Sequence, residues 1–158
     1  MFLKEFEVRW SDLDANRHLA NSAYINFMSH TRMSFLTQLG FAHKEFEQLG
    51  IGPVVFYEHI YYFKEVFPGK PIQVSLEFTG MSADGKFFEF NHNFYDYKGK
   101  HLAHCEMMFS WIDMKSRKLI TLPSEILGVF DKQEKAPTFR VLTKEDTRRY
   151  AKVPVDLS

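Results

Sequence analysis

Cysteine is nearly absent from this chain: Cys105 is the one thiol among 158 residues. A single cysteine excludes a disulfide within the chain, so we expect a cytoplasmic protein, because thiols stay reduced in that compartment. Long apolar runs are also missing. No segment approaches the roughly 20 apolar residues that a membrane-spanning helix requires, and the first residues contain Glu5 and Glu7 where a signal peptide would be apolar. We therefore expect neither membrane insertion nor export.

The chain has no net charge and lacks several motifs of catalytic and binding sites. Twenty Lys and Arg balance 20 Asp and Glu, and no basic motif interleaved with aromatics predicts nucleic-acid binding. No serine lies in a G-x-S-x-G context, which disfavours a serine hydrolase of that type. His101 and His104 are three residues apart on a predicted strand, so they should point to opposite faces. We expect no metal and no cofactor.

The composition is that of an ordinary folded domain with many large aromatic side chains. Hydrophobic residues make up 45% and charged residues 25%, and there are 17 Phe. This length supports one domain, residues 1–158, with a sizeable core. The phenylalanines imply bulky packing or an apolar pocket.

Periodicity predicts an α+β fold with a largely antiparallel sheet. Apolar residues recur at helical spacing in a long segment that should be capped by Asn21 and stop at Gly40, and a shorter helix should end at Gly50. Strand patterns, turn signals such as Asp84-Gly85 and a short terminal helix account for much of the rest. The predicted strands are 2–10, 51–64, 72–80, 87–97, 101–112 and 119–121, and the predicted later helices are 123–130 and a turn at 143–146.

The polar residues concentrate between the first strand and the long helix. Asp12, Asp14, Asn16 and His18 follow one another at two-residue spacing and lead directly into the helix. The first N–H groups of a helix have no internal partner and carry partial positive charge, so they can stabilise an oxyanion. The same two aspartates would also suit simple capping of the helix, and capping remains the better interpretation for Asp12.

This stretch resembles two related motifs. The segment D-A-N-R-H-L-A-N at positions 14–21, followed by Tyr24, resembles the D-x-N-x-H-V-N-N-x-x-Y motif of acyl-acyl carrier protein thioesterases. The segment W-S-D-L-D at positions 10–14 resembles the D-x-D signature of the 4-hydroxybenzoyl-CoA thioesterase family, whose members have the hotdog fold. The resemblance extends in outline over about residues 1–130. It implies a single hotdog unit, in which an antiparallel sheet wraps around one long central helix.

The resemblance implies hydrolysis of an acyl-CoA or acyl-carrier-protein thioester by a homodimer or homotetramer with active sites at subunit interfaces. A thioester hydrolase needs a base or nucleophile, oxyanion donors and an acyl slot. In this assignment Asp14 is the general base or nucleophile, and Asn16 and His18 align the water or carbonyl. The expected substrate-binding residues are Asn21 and Ser22, through their backbone amides, together with Tyr24, Glu58 and His59.

Two points stay open at this level. A hotdog module that binds acyl thioesters without hydrolysing them is the alternative function, although the combination of Asp14, Asn16 and His18 favours catalysis. Residues 115–152 carry ten Lys or Arg against five Asp or Glu. That basic region suits the phosphates of coenzyme A or an acidic carrier protein, and a solvated surface explains it nearly as well.

Overall fold

The computed structural model describes residues 1–157 and contains three α helices. They are α1 (Asn21–Gln38), α2 (His43–Leu49) and α3 (Ser124–Asp131). Two 3₁₀ turns span Trp10–Asp12 and Lys144–Arg148. None of the helices among residues 1–157 is long and apolar enough to cross a membrane.

Seven strands form one sheet. They are β1 (Phe2–Phe6), β2 (Ile51–Tyr62), β3 (Ile72–Ser82), β4 (Phe87–Asp96), β5 (His101–Asp113), β6 (Leu119–Ile120) and β7 (Lys135–Leu142). The main order across the sheet is β1-β3-β4-β5-β2, with β6 on β5 and β7 on β3. Every pairing is antiparallel except that of β7 with β3, which is parallel. The α+β class and the antiparallel sheet are therefore confirmed.

Helix α1 packs against the sheet through one aromatic face. Phe27 stacks on Phe6 of β1 with ring centroids 4.7 Å apart, and Phe35 meets Phe90 of β4 edge to face at 6.1 Å. Near the start of the helix, Tyr24 contacts Phe94 at 4.9 Å. These contacts fix the first turn of α1 against the sheet, which is where the polar residues of the preceding loop are delivered.

Three local predictions need correction. Strand β1 ends at Phe6 rather than at residue 10, and Trp10 is 90% exposed within the 3₁₀ turn. Asn21 is the first residue of α1 rather than its cap; Ala20 occupies the cap position, and no side chain caps the helix there. Strand β7 was not expected, because its sequence KAPTFRVL contains Pro137 and alternates poorly. Its pairing with β3 is a long-range contact that local periodicity does not encode.

Candidate active site

The loop between β1 and α1 folds back on itself and brings Asp14 and His18 to one side. Leu13 and Leu19 form an antiparallel bridge, and the Asp14 N–H donates to the His18 carbonyl at 3.0 Å. The turn is closed by the Arg17 N–H, which donates to the Asp14 carbonyl at 3.0 Å, with Arg17 at φ 63°. Two residues four positions apart thus become neighbours without any helix between them.

Asp14 is held by its own loop through one carboxylate oxygen. Its Oδ1 accepts the Asn16 N–H at 2.8 Å, and its Oδ2 lies 3.6 Å from Nδ1 of His18. Turns in which an aspartate accepts from the backbone two residues later orient the side chain without burying it. The carboxylate is therefore oriented while one oxygen stays free for chemistry.

His18 lies between two carboxylates. Its Nδ1 faces Asp14, and its Nε2 is 3.5 Å from Oε1 of Glu65, a residue just beyond β2. The edge of Phe67 packs at 6.3 Å between ring centroids. Both carboxylate distances exceed those of a charge-assisted hydrogen bond, so the ring is placed by packing as much as by hydrogen bonding.

The N-terminus of α1 opens beside these groups. The Ala20 carbonyl accepts from the Ala23 N–H at 2.9 Å, and the N–H groups of Asn21 and Ser22 have no hydrogen-bond acceptor among residues 1–157. Because Ala20 has no side-chain acceptor to cap the helix, these two amides stay available to a ligand. Unpaired amides at a helix N-terminus favour a developing negative charge.

Asp12, by contrast, holds the loop together. Its carboxylate accepts from the Arg9 backbone N–H at 2.8 Å and from the Arg9 guanidinium at 3.0 and 3.1 Å. The Asp12 carbonyl accepts the Ala20 N–H at 2.8 Å. The hydrogen bond from Arg9 lowers the pKa of Asp12 despite its burial. Asp12 therefore supports the loop, and the turn it caps is Trp10–Asp12 rather than α1.

A pocket of about 370 Å³ gathers part of the predicted set. Asp14, His18, Asn21 and Tyr24 line it together with Leu19, and the end of β2 and the residues after it contribute Tyr62, Phe63, Lys64 and Glu65. The family resemblance led us to expect residues of strand 54–64 to face Asp14 from a partner chain, whereas these four residues belong to the same chain; Glu65 was not expected at all. One wall of the pocket is thus formed by the loop and the start of α1, and the other wall by residues 62–65.

Tyr24 places a protonated hydroxyl in the pocket wall. Burial, and to a smaller extent the neighbouring Tyr62, raises the pKa of Tyr24 to about 12. The two rings meet edge to face with centroids 5.0 Å apart. A neutral phenol of this kind can donate a hydrogen bond at any physiological pH.

Four predicted residues lie outside this pocket. Asn16 and Ser22 are exposed and do not line it, and Asn16 contributes only its backbone N–H to Asp14. Glu58 and His59 sit in the middle of β2, where neighbouring side chains point to opposite faces. Glu58 faces Arg32 of α1 at 3.5 Å, while His59 packs on the other face against Tyr150, with ring centroids 4.6 Å apart.

The basic C-terminal region is partly neutralised away from the pocket. Arg140 pairs with buried Glu89 at 2.7 Å and with Asp146 at 2.6 Å, and Arg149 also reaches Glu89 at 3.3 Å. These arginines serve to hold the C-terminal segment on the sheet. Among residues 1–157, no group of three or more His, Cys, Asp or Glu side chains is arranged as a metal site.

The comparison with protein families assigns the chain to a class. Residues 8–130 match the model of the thioesterase-like superfamily. This span is most of the chain, so the chain belongs to that superfamily, and its enzyme class is thioester hydrolase. No curated protein matches the sequence significantly.

Solved structures show the same fold at low sequence identity. A hypothetical protein from Staphylococcus aureus in complex with CoA is 19% identical, with a TM-score of 0.77 over 98% of this chain and 95% of that one. A DHNA-CoA thioesterase from the same organism is 17% identical, with a TM-score of 0.76 over 96% and 95%. A 1,4-dihydroxy-2-naphthoyl-CoA thioesterase from Synechocystis is 17% identical, with a TM-score of 0.74 over 83% and 96%.

Proposed function

We propose that the chain hydrolyses acyl thioesters of coenzyme A to a free acid and a thiol, with Asp14 as the general base or nucleophile. One observation carries the proposal. Asp14, which has one carboxylate oxygen without a hydrogen bond, and Asn21, the first residue of α1, line a single pocket of about 370 Å³. A thioester carbonyl placed between them would meet a base on one side and unpaired amides on the other.

Two routes are open to Asp14. Its free Oδ2 can attack the carbonyl carbon, expelling the thiolate and leaving an anhydride that water then cleaves. Alternatively, it takes a proton from a water molecule that attacks the carbonyl directly. In either route the tetrahedral oxygen carries negative charge. The N–H group of Asn21, which lines the pocket, would stabilise it as a hydrogen-bond donor, and the adjacent N–H group of Ser22 is the second candidate donor.

The neighbouring residues have supporting roles in this proposal. His18, 3.6 Å from Asp14, aligns the water or passes a proton toward the departing thiolate. Asn16 fixes the Asp14 carboxylate through its backbone N–H, and its side chain stays a candidate for orienting the water or the carbonyl. Tyr24 donates a hydrogen bond to the substrate from its neutral hydroxyl.

We propose that residues 1–158 form one hotdog unit, with α1 as the central helix around which the sheet curves. The burial of Tyr24, Phe27, Met28 and Phe35 along one face of α1 supports this assignment. A single unit would act as a homodimer or homotetramer, in which strand β2 of a partner chain borders the site. We place the enzyme in the cytoplasm, on the evidence of its single cysteine.

Coenzyme A is our choice of leaving group over acyl carrier protein. The Staphylococcus aureus structure with the same fold holds CoA, and the two thioesterases similar in fold are named for CoA substrates. Acyl carrier protein is the second candidate carrier, and the same assay distinguishes the two.

The test is release of free thiol from aliphatic and aromatic acyl-CoAs and from acyl-carrier-protein thioesters. Asp14→Asn should lower kcat/KM by at least about 100-fold, the range typical of a lost general base. Its melting temperature should hardly change, because the asparagine oxygen can still accept the Asn16 N–H. Asp84→Asn is the matched control, since Asp84 accepts the Lys86 N–H in a turn outside the pocket.

Three outcomes are informative. Full turnover by a folded Asp14→Asn protein would rule out the role of Asp14. Activity confined to carrier-protein thioesters would replace coenzyme A as the leaving group. A wild-type protein that hydrolyses nothing but is thermally stabilised by acyl-CoA would be a non-catalytic acyl-thioester-binding module.

A further inference from the structure

A second pocket lies in the groove between α1 and β2 and has no lining residue in common with the Asp14 pocket. Its volume is about 220 Å³. The wall is mostly apolar, and Ser29 and Arg32 are its polar members. The lining residues are Ser29, Arg32, Met33 and Leu36 of α1, Pro53 and Val55 of β2, and Phe90, Met107 and Phe109 of the sheet.

Arg32 is a largely buried cation whose hydrogen bonds are incomplete. Its side chain is 14% exposed. Nη2 donates to Oγ of Ser29 at 2.9 Å, whereas Nη1 lies 3.5 Å from Glu58 Oε1, 3.4 Å from His92 Nε2 and 3.0 Å from the Met107 sulfur. Charged hydrogen bonds to oxygen are normally about 2.7–2.9 Å long. The Nε–H and the second Nη2 hydrogen have no acceptor among residues 1–157, so the guanidinium keeps donor capacity beside the pocket.

The Glu58 carboxylate can also accept further hydrogen bonds. Its side chain is 17% exposed, and its one ion pair among residues 1–157 is the loose contact with Arg32. The other neighbours bring no charge. Burial raises the pKa of the Cys105 thiol to about 12, and burial with the charge of Arg32 lowers the pKa of His92 to about 3. The cluster thus consists of one cation and one anion.

His92 fixes the geometry of this pair from below. Its Nδ1 is 2.7 Å from the Ser75 carbonyl, which can only accept, so Nδ1 carries the hydrogen. Nε2 is then an acceptor directed at Arg32. Because His92 is fully buried in the sheet, it cannot move away when a ligand enters.

Stability alone does not account for this arrangement. Burying two ions carries a large desolvation penalty, which their attraction offsets only when the two charged groups are in close contact. Here the charged atoms are 3.5 Å apart, and neither ion is saturated with hydrogen bonds. A polar ligand group placed beside them would supply the missing hydrogen bonds of both ions.

Both pockets border α1 and the β2 segment, one at the start of the helix and one farther along it. At the start of α1, Asn21 and Tyr24 share a pocket with Tyr62, and farther along the helix Met33 shares the second pocket with Val55. Helix α1 and strand β2 therefore run in opposite directions on either side of the groove. The eleven residues from Asn21 to Arg32 correspond to roughly 16 Å of helix. A long alkyl chain spans that distance, and a single aromatic ring does not.

We propose that the second pocket receives the distal end of a long acyl chain and that Arg32 and Glu58 select a chain with a hydroxyl group at that end. The hydroxyl oxygen accepts from the guanidinium of Arg32, which lines the pocket, and its hydrogen is donated to the neighbouring carboxylate of Glu58, 3.5 Å from Arg32 Nη1. The inference rests on the proposed acyl-CoA thioesterase function. A terminal methyl group would form no hydrogen bond with either ion, and a terminal carboxylate would place a second negative charge next to Glu58.

The experiment compares kcat/KM for ω-hydroxydodecanoyl-CoA, dodecanoyl-CoA and the ω-carboxy analogue. The wild-type enzyme should prefer the hydroxylated chain by at least about tenfold over the plain one, since sites built to hydrogen-bond a hydroxyl reject analogues that lack it. Arg32→Met combined with Glu58→Met removes both ions together, which avoids leaving one buried charge unpaired. The preference should then disappear or reverse. Lys44→Met combined with Glu47→Met, which removes an exposed cation and an exposed anion of α2 outside both pockets, should retain the preference.

A binding measurement separates this inference from the catalytic proposal. Asp14→Asn protein is titrated with free ω-hydroxydodecanoic and dodecanoic acids, and the hydroxylated acid should bind more tightly. Binding preference without any hydrolysis by wild type would overturn the catalytic proposal and leave this one standing. Hydrolysis without a preference, a preference for the ω-carboxy chain, or a preference that survives in the double variant would overturn the hydroxyl assignment.

Discussion

Asp12 and Asp14 are two residues apart and have different surroundings. Both carboxylate oxygens of Asp12 accept hydrogen bonds from Arg9. Only one carboxylate oxygen of Asp14 accepts a hydrogen bond, from the Asn16 N–H, and the other lies near His18. The spacing of the two aspartates in the sequence does not reveal this difference in hydrogen bonding. It arises because Arg9 folds back over the 3₁₀ turn and reaches only the first aspartate.

The ion pair of Asp12 predicts a pH-dependent stability. Its folded pKa is lowered from the usual 3.8, so its contribution is present above that value and is lost as the pH falls through the lowered folded pKa. Asp12→Asn should destabilise the protein by about 1 kcal/mol at pH 7, a modest value because the Arg9 side chain is largely exposed. Urea denaturation at neutral and strongly acidic pH measures the effect.

The difference between wild type and Asp12→Asn should shrink in acid, where Asp12 of the folded wild type becomes protonated. Asp156→Asn, in the exposed C-terminal tail, is the control and should have no effect at either pH. An equal loss for Asp12→Asn at both pH values would show that the charge of Asp12 is not what stabilises the loop.

At the scale of elements, the turn between β3 and β4 is tied to helix α3. Gly85 has φ +64°, and a Cβ added there would lie 2.4 Å from Cδ2 of Leu127 in α3. The turn at Gly99, with φ +77°, has open space where its Cβ would be. The two glycines share a backbone requirement, but only Gly85 also has a packing requirement.

Alanine substitution should separate these two requirements. Gly99→Ala should cost about 1 kcal/mol, the cost of a left-handed conformation for a residue with a side chain. Gly85→Ala should cost about 2–4 kcal/mol, because displacement of Leu127 adds an overpacking term. Chemical denaturation measures the free energy of unfolding of both variants. Equal losses would mean that Leu127 moves aside at no energetic cost.

Most elements could be predicted because their signals are local. The helix pattern from Asn21 onward, the alternation in 72–80 and the Asp84-Gly85 turn each lie within one window of sequence, and each corresponds to an element of the structure. Strand β7 could not be predicted in this way. Its stability comes from pairing with β3 and from the ion pair between Arg140 and Glu89, groups 51 residues apart in the chain.

At the scale of the whole molecule, strand β2 is the last strand in the main order of the sheet. It pairs only with β5, and its other edge has no partner strand among residues 1–157. The N–H and C=O groups that this twelve-residue strand directs away from β5 have no strand partner, and such an edge is a template for pairing with another chain. This edge is the structural basis for the proposed dimer.

We predict a solution mass of about twice the 18.7 kDa of one chain, or a whole-number multiple of that dimer. Light scattering coupled to size-exclusion chromatography measures it at micromolar concentration, alongside thiol release from acyl-CoA. A single-chain mass in a fully active sample would show that one chain completes its own site and would remove the need for a partner's β2.

The sequence by itself determined the fold class, most of the elements and the region of the candidate site, because periodicity, turn residues and the D-x-N-x-H spacing are all properties of neighbouring residues. The tertiary structure decided which side chains share a pocket. It brought Tyr62 and Glu65 to Asp14, turned His59 to the opposite face and set Arg32 beside Glu58, since those relations depend on how α1 crosses the sheet beside β2. No spacing along the chain specifies that crossing.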